Sequence, residues 1–134
     1  MSTVTAEKVA DLRERAIRAA EHSYSPYSGY PVGVAAIDED GLITTGCNIE
    51  CASFGMTLCA ESVLIGKVVS EGRAVPTMIA CRHADGATLM PCGRCRQMLF
   101  EHFGPDCLID QGPGEDPVTV GDLLPHAWAG LSDK

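Results

Sequence analysis

The sequence predicts an α/β layer fold built on a five-stranded mixed sheet. Three observations lead there. Helical segments at 5–22, 58–72 and 92–103 alternate with short apolar runs at 32–37, 42–49, 77–81, 107–109 and 118–120. The first two runs flank the turn Asp38-Glu39-Asp40-Gly41, so they read as an antiparallel hairpin inside the sheet. The chain has 134 residues, enough for one hydrophobic core, and reads as a single domain over 1–134.

In the first helical segment Val9, Leu12, Ala16 and Ala20 recur at spacings of three and four, while Arg13, Arg15 and Arg18 fall off that stripe. Thr5 is placed to cap it, with Glu7 at the positive end of the helix dipole. The next stretch, Ser23 to Pro31, is kept out of helix by Pro26, Gly29 and Pro31. It holds Tyr24, Tyr27 and Tyr30, which either cover one end of the core or wall a pocket for a flat ring. Asn48 and Glu50 close the second strand, either as turn residues or as side chains projecting into a site. Gly72 ends the second helix, Asp85-Gly86 marks a turn, and Gly104-Pro105 stops the third helix. The unbroken Met78-Ile79-Ala80-Cys81 suits a strand buried on both faces.

Composition narrows the function. Eighteen acids against ten bases give a net charge of −8, and the bases are scattered, which argues against a polynucleotide track and for a small substrate. No run of about twenty apolar residues exists to span a membrane, and the N-terminus lacks an apolar signal core. Seven cysteines is an odd number and does not suit a fully paired secreted framework, so a reducing, cytoplasmic setting is the expectation.

The chemistry concentrates in Thr57-Leu58-Cys59-Ala60-Glu61 and Pro91-Cys92-Gly93-Arg94-Cys95. Each stands at the start of a helical segment, where unpaired N–H groups stabilise thiolates. Together they offer Cys59, Cys92 and Cys95 as three zinc ligands and Glu61 as a carboxylate left for acid–base work. Cys59 and Glu61 lie two apart, so both can face one metal only if Cys59 sits at the helix cap with non-helical backbone. Two other readings stay open. Cys92 and Cys95 form a Cys-x-x-Cys pair of redox type, and a structural zinc would recruit a fourth ligand from Cys81, His83 or His102. Cys47, Cys51 and Cys107 read as buried thiols.

These motifs resemble those of the small cytidine deaminases, and the resemblance covers most of the chain. Tyr27-Ser28-Gly29-Tyr30-Pro31-Val32-Gly33-Val34-Ala35-Ala36 is similar to that family's loop and first strand, Gly46-Cys47-Asn48-Ile49-Glu50 to its ribose-binding segment, and Leu123-Leu124-Pro125-x-x-Trp128 to its tail. The resemblance implies a three-layer α/β/α sandwich and zinc-dependent hydrolytic deamination of cytidine and 2′-deoxycytidine in pyrimidine salvage. One Zn²⁺ per subunit is implied, with Glu61 as proton shuttle. Asn48 and Glu50 would hold the ribose, with Tyr30, Ala60 and Phe54 completing the substrate site. It further implies a homotetramer in which Trp128 reaches a neighbouring site.

Three departures stand out. Cys51 replaces a usual Asn, Trp128 a common Phe, and Ser62 an Arg that in many three-cysteine members bonds the zinc thiolates. Arg94 is expected to supply the missing positive charge. Two alternatives remain: a deaminase of the blasticidin S type, which shares the zinc motif, and a zinc-stabilised binding module without catalysis.

Overall fold

The structure, a computed structural model, describes residues 4–131. Its elements are α1 (Ala6–Ala20), β1 (Val32–Ile37), β2 (Ile43–Cys47), α2 (Ala60–Ser70), β3 (Met78–His83), β4 (Thr88–Leu89), α3 (Gly93–Phe103), β5 (Leu108–Ile109) and β6 (Val118–Thr119). The strands lie in the order β2-β1-β3-β5-β6, with β4 paired to β3. Strand β1 runs antiparallel to both β2 and β3, β3 is parallel to β5, and β5 is antiparallel to β6. The sheet is mixed, as the hairpin requires, but holds six strands instead of five. The added strand, β4, has two residues and pairs with Cys81 and Arg82. It is too short to carry a hydrophobic period, which is why the sequence pattern does not reveal it.

Alternation along β1 builds two cores. Val34 and Ala36 point to one face, where they meet Leu64 and Val68 of α2 and Leu99 and Phe103 of α3. Ala35 and Ile37 point to the other, where Leu12 and Ala16 of α1 cover them. This is the three-layer sandwich, with α1 alone on one side. Thr5 caps α1 as the sequence predicts, its hydroxyl accepting the Lys8 N–H at 3.2 Å. The helix lies so close to β1 that a Cβ at Gly33 would stand 2.0 Å from the Ala16 carbonyl oxygen.

Strand β3 runs two residues beyond the expected 77–81, because the charge on Arg82 is paired inside the protein. Arg82 and Asp110 are both 2 % exposed and form an ion pair. Asp110 is also gripped by Arg13, through Nε at 3.0 Å and Nη2 at 2.8 Å. Arg13, which sequence spacing puts off the apolar stripe of α1, is therefore part of the tie between helix and sheet. Burial pushes the Asp110 carboxyl up, but hydrogen bonds from Arg13 and Arg82 outweigh it and hold the group below the usual carboxylate range.

A folded-state pKa below the unfolded one contributes stability above the unfolded value, and this is lost as pH falls through the folded one. Asp110→Asn leaves Arg82 buried without its counter-charge, so it should destabilise by about 3 kcal/mol at pH 7. Urea unfolding at pH 7 and pH 3 should show that deficit shrinking at the lower pH. A deficit independent of pH would contradict an ionised Asp110.

Candidate active site and metal centre

Two helix starts converge on one face of the sheet. Cys59 is the N-cap of α2 (φ −69°, ψ 157°) and Cys92 the N-cap of α3 (φ −68°, ψ 168°). Both backbones are extended, and neither side chain makes a capping hydrogen bond. Cys95 follows in the first turn of α3 and is fully buried. The three Sγ atoms lie within 4.8 Å of one another. Because Cys59 precedes the helix proper, its thiol and the Glu61 carboxylate share one cleft, as the spacing argument requires.

The donor set fits zinc. Soft sulfur ligands at helix N-termini suit that ion, and no fourth His, Cys, Asp or Glu among the described residues joins the group. The fourth-ligand candidates are engaged elsewhere. Cys81 lies against Glu61, His83 bonds the Asp85 backbone, and His102 is in the last turn of α3, away from the cysteines. A hydrogen bond from Cys95 draws the Cys59 thiol down to about 6, against burial and the Glu61 charge, with a smaller contribution from Arg94. The Cys95 thiol is raised in turn, chiefly by its bond to Cys59. The cluster thus favours a thiolate at Cys59.

The cleft has a volume of about 320 Å³. Glu61, 5 % exposed, forms part of its floor with Cys59, Ala60 and Cys92, and Tyr30 and Asn48 stand on its walls. Tyr30 meets His83 edge-on, with ring centroids 4.5 Å apart. A second cleft, of about 360 Å³, is lined by Tyr27, Ser28, Glu50 and Phe54, and Thr57 borders both.

Asn48 and Glu50 each tie the 23–31 loop in place. Asn48 accepts the Val32 N–H at 2.9 Å and the Ser23 hydroxyl, and donates to the Tyr30 carbonyl at 3.0 Å. Glu50 accepts the Tyr27 and Ser28 N–H groups at 3.0 Å and the Ser28 hydroxyl. Those bonds, led by the Ser28 hydroxyl, hold the Glu50 carboxyl below its ordinary value. The structure therefore gathers Cys59, Cys92, Glu61, Ala60, Asn48 and Tyr30 around one cleft, sets buried Cys95 against the two cysteines there, and places Glu50 and Phe54 at the next. Trp128 lines neither; it is 58 % exposed, and its carbonyl accepts from Gln97 Nε2 at 3.0 Å.

Arg94 is exposed and reaches across from α3 to donate to Ser62 Oγ on α2 at 3.2 Å. Cys47 and Cys51 are only partly buried, contrary to expectation, while Cys107 is buried. Leu89 and Met90 line the main cleft and were not foreseen. Leu89 and Met90 fall where the sequence reads as connection, and β4 alone brings them to the site.

A three-sulfur metal site with a neighbouring carboxylate and an open cleft, set on a mixed sheet, defines the class of zinc-dependent hydrolases. Comparison with known proteins narrows it. The family model for the cytidine and deoxycytidylate deaminase zinc-binding region matches residues 6–108. Cytidine deaminase from Mycobacterium tuberculosis is 48 % identical over 122 residues, covering 91 % of this chain and 90 % of that protein. The crystal structure of cytidine deaminase from that species superposes with a TM-score of 0.84 at 47 % identity, covering 92 % of this chain and 98 % of that one. Blasticidin-S deaminase from Bacillus cereus is 32 % identical over 104 residues, 70 % of this chain and 74 % of that protein. The chain belongs to the cytidine and deoxycytidylate deaminase family.

The Arg94 charge is one of the influences that draw the Cys59 thiol down. In Arg94→Ala, competition with a chromophoric chelator should show zinc held a few-fold more weakly, the scale of about 0.5–1 kcal/mol for an exposed charge. Unchanged affinity would rule out Arg94 as the compensating charge.

Proposed function

We propose that this protein is a zinc-dependent hydrolytic deaminase that converts cytidine and 2′-deoxycytidine to uridine and 2′-deoxyuridine, releasing ammonia. The observation that carries the reading is that Cys59, Cys92 and the Glu61 carboxylate line one cleft, with the sulfur of buried Cys95 clustered beside the other two. The zinc that Cys59, Cys92 and Cys95 would hold supplies Lewis-acid activation of water. Glu61 moves the protons: it accepts one from the attacking water, delivers it to N3 of the pyrimidine, and then assists departure of the C4 amino group. Its near-complete burial keeps that exchange away from bulk solvent.

Tyr30 and Ala60 border the space for the pyrimidine ring. Asn48 and Glu50 take the ribose hydroxyls, and Phe54 closes the far side of the second cleft. Asn48 supports this role because one of its two amide hydrogens goes to the Tyr30 carbonyl, leaving the other for a ligand. Sugar binding of this kind would hold the pyrimidine ring beside Glu61 and the cysteines that would carry the zinc.

The chain acts as a single domain in a homotetramer, with Trp128 completing a neighbour's site. The exposure of Trp128, Phe54, Met56 and Leu58 supports that arrangement. Pyrimidine salvage in the cytoplasm is the physiological setting this implies, with a free nucleoside as substrate and neither a nucleic-acid polymer nor a membrane as partner. Among the described residues no helix is long and apolar enough to cross a membrane.

Ultraviolet absorbance should follow zinc-dependent conversion of cytidine to uridine. Glu61→Gln should retain zinc and lose at least about a hundredfold in kcat. Loss of zinc along with activity would make Glu61 a ligand instead. The likeness to blasticidin-S deaminase gives the second arm: turnover of blasticidin S but not of cytidine would move the substrate to that class. Inertness to both would favour a zinc-stabilised binding module.

A further inference from the structure

Cys81 has no part in the zinc cluster, yet it reaches the reacting carboxylate. It sits in the middle of β3, paired with Val34 of β1 on one side and Leu89 of β4 on the other. Its side chain faces the layer formed by α2 and α3 and is completely buried. There its Sγ lies 3.6 Å from Glu61 Oε2, within range of a thiol hydrogen bond. Among the described residues this thiol is the hydrogen-bond donor that the Glu61 carboxylate has.

We propose that Cys81 is a positioning residue for Glu61: its S–H donates to Oε2 and turns the other oxygen of the carboxylate toward the cleft. The inference rests on the catalytic reading of Glu61 given above. A glutamate has three side-chain torsions to fix, and α2 provides only the backbone end of the side chain. Packing alone holds the carboxylate's place but not its rotation; a directed donor holds both. The donor is itself rigid. The Cys81 carbonyl accepts from Arg82 Nη1 at 2.8 Å, and Arg82 is locked to Asp110 on the opposite face of the sheet. Period-two alternation explains how one strand serves both layers, Cys81 facing the site and Arg82 facing α1. Burial and the Glu61 charge push the Cys81 thiol well up, so it remains a protonated donor at neutral pH.

The test compares Cys81→Ala, Cys81→Val and Cys81→Ser as zinc-loaded full chains. Val fills the volume without a donor, and Ser restores a donor in a smaller volume. Removing the donor should lower kcat about tenfold in both Ala and Val, with KM within about twofold and zinc content unchanged. Ser should recover most of kcat even if its melting temperature falls as far as that of Ala. Crystal structures should show the Glu61 carboxylate rotated or disordered in Cys81→Val and ordered in Cys81→Ser. A kcat within twofold of wild type in Ala and Val, or a Ser variant no better than Val, would overturn the proposal. If the unaltered protein turns over neither substrate, the functional reading fails, and the Glu61 conformation in Cys81→Val still decides this one.

Discussion

The site depends on two cysteines occupying helix N-cap positions. An N-cap residue has extended backbone and stands half outside its helix, so its side chain points ahead of the first turn, toward the unpaired N–H groups. At Cys59 this brings a thiol and a carboxylate two residues apart into the same cleft. At Cys92 it brings that thiol and Cys95, one helical turn on, into a single cluster with Cys59. Neither thiol spends itself on capping, and both helix ends present partial positive charge to the cluster. A ligand set of three thiolates would carry a formal charge of −1 with a divalent ion, and the field of the two helix ends opposes that charge.

Keeping two caps in register requires tight packing beneath them. A Cβ at Gly46 would stand 2.9 Å from the Ala60 carbonyl oxygen and 3.0 Å from the Leu64 nitrogen, so the first turn of α2 rests directly on β2. Gly33 plays the same part against α1 on the opposite face. The Arg13–Asp110–Arg82 network then ties that helix to β3 and β5. The sheet is thereby clamped from both sides near the strand that carries Cys81. The walls of the cleft are fixed differently: Asn48 and Glu50 follow β2 and bind the backbone of the tyrosine-bearing loop, so the groups proposed to hold the sugar also shape the pocket.

Much of this was legible in the sequence. All three helices and the hairpin lie where periodicity and turn residues put them, with α2 and α3 starting two and one residues later than expected. Those small shifts matter most, since they turn Cys59 and Cys92 into caps; the need for Cys59 to be one could be argued from its spacing to Glu61. Interactions between distant segments were not legible. Nothing local marks β4, the pairing of Arg13 with Asp110, or the contact of Cys81 with Glu61, because each is decided by which strands become neighbours. Asn48 and Glu50 looked like either turn residues or site residues. Their hydrogen bonds show them bracing a loop at the edge of the clefts, a combination that the local sequence does not express.

Zinc K-edge X-ray absorption on the zinc-loaded protein tests the three-thiolate site most directly. We expect three sulfur scatterers at about 2.3 Å and one lighter scatterer in the remaining position. Four protein ligands, with no exchangeable light scatterer, would contradict an open catalytic metal and leave Glu61 without its reaction.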